Sequence, residues 1–174
     1  HSLLYDVAII DENNIWAVGE IYVKDSLGNP DPKRYNAVHW NGTTWELKRI
    51  MFPSVCGSTN LTPYPAKTVF AFNDGQIWIS SSGDKIAILK DNQQIDKFCL
   101  PSTVSMSINK LWGTSSNDLY AVGNGGNIAH WNGSSWTKIE SGTSLDIYDI
   151  WGDYNEKSKN WEILAVASNI STAI

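Results

Sequence analysis

The sequence predicts an all-β fold, a β-propeller of four-stranded antiparallel blades, on three observations. A phrase occurs twice: His39–Trp45 reads HWNGTTW and His130–Trp136 reads HWNGSSW. Short β-rich apolar runs alternate with Gly, Asn, Asp and Ser turns, and no 3.6-residue period interrupts them. Equivalent aromatics recur at the length of one propeller blade: Trp78 to Tyr120 is 42 residues and Trp112 to Trp151 is 39. A β-sandwich, the competing all-β architecture, does not repeat its sequence so closely.

Each unit then follows in chain order. Blade 1 covers about residues 4–50. LYDVAIIDENNIWAVG (Leu4–Gly19) supplies two strands around the DENN turn, and YNAVHWNGTTWELKRI (Tyr35–Ile50) supplies two more. Blade 2 covers about 66–100, from TVFAFNDGQIWIS (Thr68–Ser80) and DKIAILKDNQQIDKFCL (Asp84–Leu100), with Asp91-Asn92 at its last hairpin. Blade 3, about 107–139, is the clearest unit. Half a fourth blade occupies about 145–170. The Asn-Gly pairs at 41–42 and 132–133 read as two-residue type I′ hairpins, in which both central residues tolerate positive φ. The whole chain, 1–174, reads as one domain of about three and a half blades. Closed propellers have four to eight blades, so the expectation is a partial propeller whose remaining blades come from the same or another chain.

Composition excludes several functions. The formal net charge is −5 and the only arginines are Arg34 and Arg49, so the sequence offers no basic face for nucleic acid. No apolar run reaches 18 residues, which excludes membrane insertion by a helix. No Ser/His/Asp arrangement, phosphate-cradling loop or zinc spacing is present, so the expectation is no catalytic residue, no metal and no cofactor. GNGGN (Gly123–Asn127) is followed by no helix pattern and reads as a turn. Asp146, Asp149 and Asp153 lack the spacing of a calcium loop. His39 and His130 hold one position in two blades, which predicts a shared packing or hydrogen-bonding role. Cys56 and Cys99 allow one disulfide, as a secreted protein would use. Spacing alone does not fix the pairing, and two unpaired thiols are the plainer expectation. N-x-S/T sequons start at Asn41, Asn60, Asn132 and Asn169, two of them inside the repeated phrase.

Loop length points to a binding face. Antiparallel alternation places the loop between strands two and three on the same face as the connector to the next blade. From Gly123 to His130 blade 3 spans 7 residues, whereas from Gly19 to His39 blade 1 spans 20. The connector Met51–Pro65 is also long. Long loops gathered on a rigid frame are where binding usually resides. The candidate contacts are Tyr22, Lys24, Asp25, Asp31, Lys33, Arg34 and Tyr64. Trp112 and Trp151, on the innermost strands, are candidates for stacking on a sugar, although repeated aromatics first suggest packing between sheets.

The stretches LWGTSSNDLYAVGNGGNIAHWNGSSWTKIESGT (Leu111–Thr143) and IWAVGE (Ile15–Glu20) resemble the repeats of secreted bacterial β-propellers. These are distantly similar to sialidase-like (Asp-box, BNR) and photosystem-assembly-factor-like repeats. The resemblance covers most of residues 4–168 and implies a propeller placed outside the cell or on its surface. Some proteins with such repeats are labelled glucosyl hydrolases. An Asp box reads S-x-D-x-G-x-x-W, and NGTTW and NGSSW keep only its Gly and Trp. Sialidases hold the substrate carboxylate with three arginines, and this chain has two. The expected function is therefore a non-catalytic extracellular binding or scaffolding module with a glycan or protein ligand. The alternative is a glycoside-active hydrolase whose catalytic residues lie partly outside this segment. A third reading is a structural segment of a longer surface protein.

Overall fold

The structure is a computed structural model that describes residues 1–32 and 34–169. Blade 1 is the sheet of β1 (Leu3–Asp11), β2 (Asn14–Ile21), β3 (Tyr35–Trp40) and β4 (Trp45–Lys48). A short ribbon, β5 (Phe52–Pro53) with β6 (Leu61–Thr62), follows in the connector. Blade 2 comprises β7 (Ala66–Ala71), β8 (Gln76–Ser81), β9 (Lys85–Lys90) and β10 (Gln93–Cys99). Blade 3 comprises β11 (Ile108–Ser115), β12 (Asp118–Gly123), β13 (Asn127–Trp131) and β14 (Trp136–Glu140). β15 (Ile147–Asn155) and β16 (Asn160–Ala167) form a two-stranded sheet among the described residues. The architecture is the all-β propeller that the repeat predicts, with all named neighbours antiparallel.

The core lies between the sheets. Trp16, Val18, Phe52, Val69 and Ile79 fill the seam of blades 1 and 2; Trp78, Ile88, Leu111 and Leu119 that of blades 2 and 3; Trp112, Val122, Ile147 and Ile150 that of blades 3 and 4. A strand buried on both faces needs apolar residues without strict alternation, which is how β8 and β9 read.

The repeated phrase has a physical basis and one correction. Asn41 and Asn132 do not form type I′ turns. Each Asn Oδ1 accepts the backbone N–H groups of the second and third residues after it, at 3.0 and 2.9 Å in both copies, and only the glycine has positive φ, +87° at Gly42 and +88° at Gly133. The side chain caps the loop, so the asparagine backbone needs no left-handed conformation. A Cβ at Gly42 would meet Asn13 at 2.6 Å and one at Gly133 would meet Asn117 at 3.0 Å. The first hairpin of the blade presses on the third, and glycine leaves room for it. The two-residue turn with positive φ occurs instead in blade 2, at Asp91 (51°) and Asn92 (59°).

The expectation of unpaired thiols is also corrected. Cys56 and Cys99 form a disulfide, with Cα atoms 5.8 Å apart. It ties the β5–β6 connector to the end of β10. Residues 43 apart in sequence meet because the connector folds back along the outer strand of blade 2.

Candidate functional site

The innermost strands β1, β7, β11 and β15 all begin at the end of the molecule that carries the long blade-1 loops. Each has a register shift near its start, which skips Tyr5, Lys67, Asn109 and Tyr148. A β-bulge leaves one residue out of the ladder and re-aims its side chain. These four, with Asp6, Lys110 and Asp149, surround a cavity of about 260 Å³ at the channel mouth. The Lys67 ammonium stands 4.9 Å from the centre of the Tyr5 ring. Asn109 Nδ2 donates to Ile147 O at 2.9 Å and so links blade 3 to blade 4.

Asp6 is the centre of this mouth. Its Oδ1 accepts the Val7 N–H at 3.0 Å and the Lys110 ammonium at 2.7 Å. Its Oδ2 accepts the Thr68 hydroxyl at 2.6 Å and the Val69 N–H at 3.0 Å. One carboxylate thus joins blades 1, 2 and 3. Charge-assisted bonds of this kind are the strong ones, and both oxygens are occupied.

The blade-1 insertion folds into a small ordered loop. Asp25 organises it: Oδ1 accepts the N–H groups of Leu27 and Asn29 at 2.9 and 2.8 Å. The Asn29 backbone bond leads the interactions that hold this carboxyl below its usual range. Lys24 pairs through its backbone with Pro30 across the loop and is exposed. Tyr22, Arg34 and Glu20 form one cluster: Tyr22 Oη donates to Glu20 Oε1 at 2.6 Å, Arg34 pairs with Glu20, and its guanidinium lies 5.6 Å from the Tyr22 ring centre. The Glu20 carboxylate raises the Tyr22 phenol above its usual range by accepting a hydrogen bond from its protonated form. Asp31 pairs with Arg49, just after β4, at 3.0 Å, and Arg49 lies 3.8 Å over the Tyr35 ring. Lys33 lies outside the described residues.

Tyr64 stands at the other end of the connector. Its hydroxyl donates to Ser54 O at 2.8 Å, and it packs against the seam of blades 1 and 2. Asn36 holds both connector ends: Nδ2 donates to Ile50 O at 2.8 Å and Tyr64 O at 2.7 Å, and Oδ1 accepts Ile50 N–H at 2.7 Å. The structure therefore brings together Tyr22 with Arg34, and Asp31 with Arg49, while Asp25 and Tyr64 serve as internal supports. Sequence reasoning missed Glu20, Asn36, Arg49 and the bulge residues. The available signal was a polar or aromatic position at the start of each inner strand, Tyr5, Lys67, Asn109 and Tyr148, each directly after an apolar residue.

The tryptophan candidates part company. Trp112 is 3% exposed, and its ring takes Trp161 edge-on at 5.7 Å; it is a packing residue, because β15 covers it. Trp151, the equivalent residue of β15, is 67% exposed. The histidines share one role. His39 stacks on Trp16 at 4.5 Å and His130 on Tyr120 at 4.4 Å, with Nε2 facing Asn14 Oδ1 at 2.9 Å and Asp118 Oδ1 at 2.6 Å. A larger groove, about 440 Å³, runs between blades 2 and 3. Its walls, Trp78, Trp131 and Trp136, pack on one another at 5.7–6.4 Å, so it is a packing seam.

No family model matches the chain, and no curated protein sequence matches it. Solved structures do. YCF48 from Cyanidioschyzon merolae aligns with a TM-score of 0.58 at 14% identity, over 94% of this chain and 48% of that one. Selenomethionine-substituted virginiamycin B lyase from Staphylococcus aureus aligns with a TM-score of 0.50 at 11% identity, over 98% of this chain and 71% of that one. This chain therefore spans about half the length of the YCF48 chain it matches. Both neighbours are β-propellers, and at these identities the likeness is one of fold, shared by this chain.

Proposed function

We propose that this chain is a non-catalytic binding or scaffolding propeller that presents its blade-1 face, outside the cell, to a protein segment or a glycan. The observation that carries this reading is that two long loops share one face, beside the channel mouth, each held to the blade frame. Asp31–Arg49 ties the insertion to the end of blade 1, Asn36 of β3 holds Ile50 and Tyr64 at the two ends of the connector, and the disulfide ties the connector to blade 2. Loops held in one geometry lose less entropy when a ligand binds. Tyr22 and Arg34 offer the aromatic and guanidinium contacts that recognition surfaces favour, and Lys24 is exposed on the same insertion. The disulfide supports an oxidising compartment, and further blades, in this reading, complete the ring.

The hydrolase alternative needs two available carboxylates about 5–5.5 Å apart, or about 6.5–9.5 Å with a water between them. At the mouth, Asp6 is committed to Thr68, Val69 and Lys110, which weighs against it as an acid or base. The test is a glycan and peptide array on the intact chain, followed by deletion of Asp25–Pro32. A ligand of this face should lose at least about tenfold in affinity, roughly 1.4 kcal/mol, with an unchanged circular dichroism spectrum. Unaltered affinity refutes the assignment.

A further inference from the structure

The packing seam between blades 2 and 3 is open along one side. Both blades are four-stranded, and each packs on a neighbouring sheet at either side within the chain. The opening, about 440 Å³, therefore belongs to the interior of the blade array. It lies by the hairpins β11–β12 and β13–β14, on the face opposite the blade-1 insertion. Trp78 is its floor, at 2% exposure, and the half-buried Phe98, Trp131 and Trp136 are its walls. Trp131 and Trp136 are inclined to Trp78 by 49° and 62° and to each other by 41°, and Phe98 is inclined to Trp78 by 81°. The rings make a trough, not a platform. A flat sugar ring stacks on one open platform, whereas a compact rounded group can touch several inclined rings at once.

This seam lacks a latch that the first seam has. Register places Leu89 and Gln94 of blade 2 where Trp131 and Trp136 stand in blade 3. Gln94 accepts the Met51 N–H at 3.0 Å and donates to the Met51 carbonyl at 2.6 Å, which closes the seam of blades 1 and 2. In the second seam the counterpart of Met51 is Pro101, which has no N–H, and the buried Trp136 indole N–H has no acceptor among the described residues. The charge on the groove is of one sign. Asp96 is the only charged side chain among the described residues that line it. Its Oδ1 accepts the Lys97 N–H at 2.7 Å, and no ion pair among the described residues includes it. A carboxylate without a counter-charge beside electron-rich rings attracts a cation, and aromatic surroundings recognise alkylammonium groups. We propose that this groove binds a small quaternary ammonium compound of the choline type, with the trimethylammonium group in the aromatic trough and Asp96 as its counter-charge. The site is separate from the blade-1 loops and does not rest on their ligand.

The probe is choline chloride added to the intact chain and followed by NMR of the tryptophan indole N–H groups. Its comparison compound is the neutral tert-butyl analogue, in which carbon replaces the charged nitrogen. Choline should shift the Trp131 and Trp136 resonances saturably, at one per chain, and bind at least about tenfold tighter than the neutral analogue. Asp96→Asn alters an exposed side chain, so it should leave the melting temperature unchanged and weaken choline by about tenfold. Five results would overturn the proposal: no saturable shift at millimolar choline; equal affinity for the neutral analogue, which makes the groove merely apolar; unaltered affinity in the Asp96 variant; a methyl glucoside that binds tighter than choline, which assigns the trough to a sugar; or a trimethyllysine peptide that binds where choline does not, which assigns it to a protein partner. Binding at the blade-1 loops is read by their own deletion, so either reading can fail alone.

Discussion

Replacing Cys56 and Cys99 together by serine tests how the connector is held. The bond joins residues 43 apart. Loop-closure entropy for a segment of that length limits the unfolded chain by about 4 kcal/mol at 25 °C, and native disulfides commonly contribute roughly 2–4 kcal/mol. The bond encloses β6 through β10, so global unfolding of blade 2 must open that loop. Urea denaturation followed by tryptophan fluorescence reads the effect. With a slope of about 2 kcal/mol per molar, the midpoint should fall by roughly 1–2 M. The wild-type chain in reductant should match the double variant, because the serines themselves add little. Identical midpoints for oxidised and variant chains, or two titratable thiols per oxidised chain, would show that the bond does not form and that hydrogen bonds such as those of Asn36 and Gln94 hold the connector.

Other outcomes follow from the same contacts. Asp6→Ala should destabilise the chain by about 2–4 kcal/mol in urea, since it strands Lys110 and the Thr68 hydroxyl among three blades; a loss below about 0.5 kcal/mol would contradict the clip. Gly133→Ala should lose about 1–2 kcal/mol, from positive φ and the pressure on Asn117, and thermal melting checks it. Burial, then the Lys48 charge, lowers the His39 pKa below its ordinary value, against an opposing pull from Glu46. A lowered folded pKa means that the contribution of neutral His39 is complete above about pH 6.5 and is lost as pH falls through the folded value. His39→Gln should therefore flatten the decline in melting temperature between pH 7 and 5, and an unaltered slope would remove His39 as its source.

Much of the frame was legible because it repeats. HWNGxxW names the end of strand three, a capped loop and the start of strand four, and those are local events, so the sequence carries them. The turn type was misread for a reason within the motif itself: asparagine stabilises a loop by its side chain as well as by its backbone, and only coordinates separate the two. The blade-1 insertion was legible as extra length. The division of labour inside it was not, since Asp25 turns inward to its own amides while Tyr22 and Arg34 stay at the surface.

By itself the sequence determined the strand order, the blade period, the elaborated face and the shared role of the two histidines, all written in short phrases that recur from blade to blade. Tertiary structure decided what depends on remote residues meeting. Asp6 finds Lys110, 104 positions away. Cys56 finds Cys99. Of two equivalent tryptophans, Trp112 is covered by β15 while Trp151 lies open. Identical residues at identical repeat positions acquire different environments because each strand's surroundings are set by the neighbouring blade, and that neighbour lies a whole period away in the chain.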